Sequence, residues 1–266
     1  MSEIRYNPLD ESPVRYQDGS PIPRILQGTA NPLLAPFSDD DPPSTRTEGP
    51  YGMLHIVHKA MVYTKIPAPQ GWDQTVCDHL ALLGDGTACF VPGSELVLVD
   101  DEGTKDTLSR ELQGEANYFA LHTTPLLLDY GRWERGMGTR VVVQNETATA
   151  VVPYWASTPY EMLVIPTRRT FSALDEMRQQ EEEQFIALCR LAASRLDALA
   201  GGPSLRLECL HQHHTNGHMV HMHLIPTIEN QMHFPFEYGI LSMHSCVISP
   251  EAAARALREG RYGESQ

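Results

Sequence analysis

Residues 140–226 divide into short β-prone runs on either side of one long helix, and the residues at the breaks leave the chain little choice. The runs 140–144 and 147–152 are apolar and β-branched, and they meet at Asn145-Glu146, a short hairpin turn. Pro153 ends the second run and Pro166 ends a third at 161–165, because proline cannot donate to a strand ladder. Ser172 followed by Asp175 resembles a capping box, which predicts a helix from there to about Ala200. Phe185, Leu188, Ala192, Leu196 and Leu199 fall near one face of that helix, and Gly201-Gly202-Pro203 stops it. Two more strands are predicted at 205–211 and 219–225, and Ser249-Pro250-Glu251 opens a last short helix. Three strands, a long helix and a hairpin make an α+β unit with an antiparallel sheet.

The first part of the chain reads differently. Residues 1–50 are rich in proline and polar residues, as expected of an extended arm that wraps the fold or a partner subunit. Strands are predicted at 53–57, 88–91 and 96–99, with turns such as Gly84-Asp85-Gly86 between them, and 104–116 is polar and helical. At 266 residues the chain can bury a core without disulfides, and its five scattered cysteines argue against a disulfide framework. With no secretory signal and no apolar run long enough to span a bilayer, the expected location is the cytoplasm, without a membrane partner. A formal net charge of −14 disfavours nucleic acid, whose phosphates want clustered cations.

Histidine is the informative residue. The chain has twelve, and eight of them lie between His211 and His244. Side chains alternate across a strand, so His221 and His223 share a face, with Val220, Met222 and Leu224 on the other. A symmetric hairpin around the loop 212–218 would set residue 211 opposite 219 and residue 209 opposite 221. His211 then joins His221 and His223, while His213, His214 and His218 fall in the loop, solvated or at a pocket rim. Three imidazoles this close repel when protonated and need partners when buried neutral. A divalent metal meets both needs, since neutral imidazole is a good ligand for first-row ions. Cys209, on the same face, reads as a small buried hydrophobe.

The stretches TPLLLDYGRWERG (124–136) and RVVVQNETATAVVPYWASTPYEMLVIP (140–166), with HMHLIP (221–226) and SPEAAARALRE (249–259), resemble the second half of the galactose-1-phosphate uridylyltransferase family. That family belongs to the histidine-triad superfamily, and the resemblance covers residues 111–260. It implies a histidine-triad-like antiparallel sheet with packed helices, made of an arm over 1–50, a shortened and divergent first half over 51–110, and a family-like C-terminal half over 111–266. It also implies a homodimer, a nucleotide or sugar-phosphate substrate, and one divalent metal per chain, zinc or iron. The implied ligands are Glu111, His211, His221 and His223. Glu111 is placed by counting back from Tyr118-Phe119-Ala120.

The departures from the family are as specific as the matches. The family's nucleophile motif, H-P-H-x-Q, occurs nowhere in these 266 residues, and neither does the C-x-x-C of its zinc site. Three positions that hold the sugar nucleotide in the family carry His233, Gly239 and Ser245 here, while Tyr238 is kept. His58 is a candidate replacement for a lost zinc-site histidine. Two readings stay open. One is nucleotidyl or phosphoryl transfer on a nucleotide sugar or related nucleotide, with His221 and His223 as candidate catalytic imidazoles. Its candidate substrate contacts are Arg168, Arg169, His218, His233 and Tyr238. The other is a divergent Glu/His3 metal-dependent lyase, hydrolase or oxidoreductase.

Overall fold

The computed structural model describes residues 2–17, 22–27, 47–49, 52–57, 60–64, 86–90, 96–99, 102–229 and 244–262. His58, His233, Tyr238 and Gly239 lie outside them, and Ser245 is described only as backbone in a strand.

Ten strands form one antiparallel sheet. Along the chain they are β3 (Thr47–Gly49), β4 (Gly52–Val57), β5 (Ala60–Thr64), β6 (Gly86–Phe90), β7 (Leu96–Val99), β8 (Val141–Gln144), β9 (Ala148–Val151), β10 (Met162–Pro166), β11 (Arg206–Gln212) and β12 (His221–Pro226). Their spatial order is β3-β4-β5-β7-β6-β11-β12-β10-β9-β8, so strands from both parts of the chain share one sheet, joined where β6 pairs with β11. A smaller sheet holds β1 (Ser2–Tyr6), β2 (Pro13–Gln17) and β13 (His244–Cys246). Four helices are described: α1 (Glu102–His122), α2 (Leu126–Met137), α3 (Gln179–Ala200) and α4 (Pro250–Glu259). This is the α+β, histidine-triad-like architecture expected. None of these helices is long and apolar enough to cross a membrane.

Strand alternation sorts the core into two layers. Val142, Ala150, Met162, Val164, Leu210, Met222 and Leu224 pack with Phe185, Leu188, Ala192, Leu196 and Leu199 of α3 and Leu257 of α4. On the opposite face Val151, Leu163 and Ile165 pack against Leu126, Leu127 and Leu128 of α2 and against Trp155 and Leu9. Sequence reading assigned no element to 124–136, although α2 supplies this second layer. The helix predicted at 104–116 runs six residues further, to His122.

The N-terminal segment folds onto its own chain. Arg5 pairs with Glu251 of α4 at 3.1 Å, and the Tyr16 hydroxyl donates to the carbonyl of Ala156 at 2.7 Å. Glu251 also receives Arg140, which pairs with fully buried Glu134 of α2 at 2.8 Å. Each charge in this group therefore has an opposite neighbour, the condition under which buried ions are tolerated.

Three expectations need correction. The long helix starts at Gln179, because Ser172 bonds Glu176 rather than Asp175 and closes only a single 3-10 turn over Leu174–Glu176. The first turn of α3 is closed instead by Glu181, whose carboxylate accepts the Arg178 N–H at 3.0 Å. In the β11–β12 pair His211 faces His221 and Cys209 faces His223, a slip of two residues from the symmetric register. Both ends of the loop are drawn outward, with His213 N–H donating to Ser172 O and Val220 N–H to Phe171 O, so β12 begins only at His221. A slip of two preserves the face. Finally, Cys209 is disulfide-bonded, and the residue opposite it on β6 is Cys89. An odd, scattered set of cysteines still leaves room for one disulfide.

At Gly114 of α1, an added Cβ would stand 2.0 Å from the Leu9 carbonyl oxygen. Backbone cannot swing aside as a side chain can. Gly114→Ala is therefore expected to cost about 1–3 kcal/mol, the usual range for overpacking. A urea unfolding curve measures it, and an unchanged midpoint would mean that Leu9 does not press on α1.

Candidate metal centre

β11 and β12 bring His211, His221 and His223 to one sheet face, with their candidate ligand atoms all within 4.8 Å of one another. Ring centroids are 4.7 Å apart for His211–His221, 5.0 Å for His211–His223 and 5.2 Å for His221–His223. Val220, Met222 and Leu224 point into the opposite core layer, as alternation requires. Helix α1 lies over the histidine face. It contributes Glu111, whose Oε2 is 3.2 Å from His211 Nδ1, and, one turn later, Glu115. Glu111 is thus buried rather than a solvated helical carboxylate.

Each imidazole is held from behind. His221 Nδ1–H donates to the Met219 carbonyl at 2.8 Å, and His223 Nδ1 lies 3.4 Å from Glu161 Oε1. The other oxygen of Glu161 accepts the N–H groups of Ser157 and Thr158, which fixes the carboxylate itself. Nε2 of His221 and of His223 is buried and finds no hydrogen-bond partner among the described residues. Two such acceptors would each cost about 1–3 kcal/mol if nothing met them. Nitrogens with the far side of the ring bonded and the near side empty are what metal ligation requires, so these residues fit a divalent ion.

Electrostatics sharpens the picture. Burial, followed by the neighbouring His211, His223 and His218, pushes His221 well below the ordinary histidine value, so it is neutral and ready to ligate. Burial likewise lowers His211, against the pull of Glu111. For His223, burial acts downward too, but Glu161 and then Glu111 outweigh it and the net shift is upward. Glu111 is lowered because His211, His223 and His218 together overcome its burial.

The other candidates spread out. His218, expected in a solvated loop, is 2% exposed, with Nδ1 against Glu115 Oε2. His213 is half-buried, its ring perpendicular to that of His218 at 5.5 Å, while exposed His214 pairs with Asp175 at 3.0 Å. Arg169 binds Glu181 at 2.7 Å and lies over the Phe171 ring. Arg168 is exposed. Glu115, Glu161 and the Met219 carbonyl were not singled out in the sequence. A carboxylate near a strand start carries no spacing signal toward a distant histidine.

A histidine with a raised folded value contributes stability that is present below its unfolded value, near 6.5, and lost as pH rises through the folded one. In metal-free protein, Glu161→Gln is expected to lower the His223 midpoint and remove that increment. An NMR titration of the imidazole measures this, and an unmoved midpoint would contradict the pairing.

A family model described as the galactose-1-phosphate uridyl transferase C-terminal domain matches residues 111–261. The galactose-1-phosphate uridylyltransferase of Saccharomyces cerevisiae is 33% identical over 98 residues, covering 37% of this chain and 26% of that protein. The Cryptococcus neoformans enzyme of the same name is 31% identical over 145 residues, 50% of this chain and 38% of its own length. The match thus spans well under two thirds of either. A Haemophilus influenzae uridylyltransferase is 26% identical over 271 residues, covering 96% of this chain and 75% of that protein. Among solved structures, an Arabidopsis thaliana ADP-glucose phosphorylase aligns with a TM-score of 0.61 at 14% identity, over 97% of this chain and 99% of that one, a likeness of fold. The chain therefore belongs to the galactose-1-phosphate uridylyltransferase family, whose C-terminal domain is matched by residues 111–261.

Proposed function

We propose that this protein is a metal-containing transferase that moves a nucleotidyl or phosphoryl group on a nucleotide sugar, with one divalent ion, zinc or iron, held by Glu111, His211, His221 and His223. The observation that carries the reading is the coincidence of the family match with a buried cluster of the three histidines, two of whose inward nitrogens lack a hydrogen-bond partner among the described residues. An ion held by Glu111 of α1 and by the three histidines of β11 and β12 would supply Lewis-acid polarisation to a phosphate oxygen of the substrate. The chain's own residues do the rest. Met219 O and Glu161 fix the tautomer and aim of His221 and His223, Glu111 leaves one oxygen beyond its contact with His211, and α1 keeps bulk water off the histidine face.

His221 and His223 serve here as ligands rather than as nucleophiles, because one nitrogen cannot fill both roles. Their convergence with His211 within 4.8 Å favours ligation. Of the two arginines, Arg168 is the one offered to phosphate, since Arg169 is engaged by Glu181. His233 and Tyr238 complete the proposed substrate contacts. A homodimer and a cytoplasmic location belong to the same proposal, and light scattering tests the dimer against a chain mass of 29.7 kDa.

The missing H-P-H-x-Q motif sets a limit on the chemistry. Exchange between UDP-glucose and galactose-1-phosphate is expected to be very slow or absent, with no acid-labile, base-stable uridylyl adduct. A panel of nucleotide sugars with orthophosphate, followed by phosphorus NMR, should yield a sugar phosphate from at least one of them. A stoichiometric uridylyl-histidine would overturn the ligand assignment and point to His221 or His223 as nucleophile. No product from any nucleotide sugar would sink the transferase reading in favour of the metal-dependent lyase, hydrolase or oxidoreductase.

A further inference from the structure

Four histidines crowd the covered face of the sheet, and the centre described above uses three. His218 is left over, yet it is built like the others. Its Nδ1 rests on Glu115 Oε2, and both side chains are 1% exposed. Its Nε2 is buried and has no hydrogen-bond partner among the described residues, and the same holds for the second oxygen of Glu115. The backbone has gone to some length to put it there. Gly217 has φ of +92°, and a Cβ at that position would stand 2.7 Å from Phe119 Cβ on α1. Only glycine lets the chain turn so tightly against the helix and press the next residue onto Glu115.

The pattern is shared with His221 and His223. His218 is backed by Glu115, His221 by the Met219 carbonyl and His223 by Glu161, while Glu111, itself a proposed ligand, reaches His211. A carboxylate or carbonyl behind Nδ1 fixes the tautomer and raises the basicity of Nε2, the usual support of a metal-bound imidazole. Glu115 follows Glu111 by one helical turn, so both carboxylates descend from the same face of α1. The His218 ring lies 5.7 Å from that of His221. With metal–nitrogen bonds of about 2.0–2.1 Å, two rings on one ion sit on the order of 4.5–6 Å apart, centre to centre. The set within 4.8 Å contains His211, His221 and His223, and His218 stands just outside it, beside His221.

We propose that His218, oriented by Glu115, is a further imidazole ligand of the same ion. The inference rests on the metal centre proposed above and adds a donor to it. Four imidazoles beside Glu111 exceed the four ligands of a tetrahedral zinc site and favour an ion that accepts five or six, such as iron.

The test loads the full chain, with nitrogen-15 in its histidines, with cadmium-113 ions, which tolerate high coordination numbers. Scalar coupling between cadmium and Nε2 reports each ligating ring. Splitting is expected at His211, His218, His221 and His223. Splitting at the other three with none at His218 overturns this inference and leaves the centre intact. No splitting at any histidine overturns the metal reading itself, and this inference with it. A second measurement uses His218→Phe, which keeps the volume filled, and Glu115→Gln. Cadmium affinity is expected to fall at least about tenfold in each, the scale on which such supports act. Unchanged affinity in both variants would contradict the assignment.

Discussion

The structure depends on how charge and lone pairs are satisfied where α1 meets the sheet. Glu111, Glu115 and Glu161 and the imidazoles of His211, His218, His221 and His223 are all withdrawn from bulk water on one face. An ion left unpaired in such a place costs several kcal/mol, more than most single contacts return. Here each imidazole has a carboxylate or carbonyl behind it, so the penalty is met pair by pair. Breaking the Glu111–His211 or the Glu115–His218 pair strands a buried partner where the helix meets the sheet. The remaining question is what meets the nitrogens on the near side, and a divalent ion answers it for several of them at once.

The rest of the fold holds that contact in place. The apolar layer beneath β9, β10, β11 and β12, closed by α3 and α4, gives the sheet a rigid back, so that alternation alone decides which residues reach the site. Glu161 is aimed by a strained neighbour. Tyr160 has φ of +64°, a left-handed conformation that costs a bulky residue on the order of 1–3 kcal/mol. The strain is held by complete burial of the Tyr160 ring and by its hydroxyl, which donates to the Pro23 carbonyl at 3.0 Å. The N-terminal segment is therefore part of the site's support. Leu9, in the turn between β1 and β2, also packs against Gly114 of α1, the helix that carries Glu111 and Glu115.

Much of this was legible from residue patterns, and the reasons are physical. His221 and His223 share a face because strand periodicity is two, and that parity survived the two-residue error in register. Gly201 closes α3 in a left-handed conformation with φ of +79°, as its position predicted. Ser249 caps α4 by accepting the Ala252 N–H. The features that escaped were those set by distance in space. Glu111 could be placed only by family resemblance, since a single glutamate on a polar helix has no periodic signature. His218 looked like a loop histidine because nothing local says that the loop folds under α1, and Glu115 and Glu161 gain meaning only once their partners arrive from elsewhere in the chain. Arg169, a phosphate candidate for its place just after the strand ended by Pro166, is instead engaged by Glu181, twelve residues on in the first turn of α3.

Whether His211, His221 and His223 hold a metal ion is read most directly by elemental analysis of the purified protein beside two variants. About one divalent ion per chain is expected in the parent and in His214→Ala, which changes an exposed residue paired with Asp175. His221→Ala, folded by circular dichroism, is expected to be empty. A His221→Ala protein that keeps its full complement of metal would contradict the account and place the ion elsewhere.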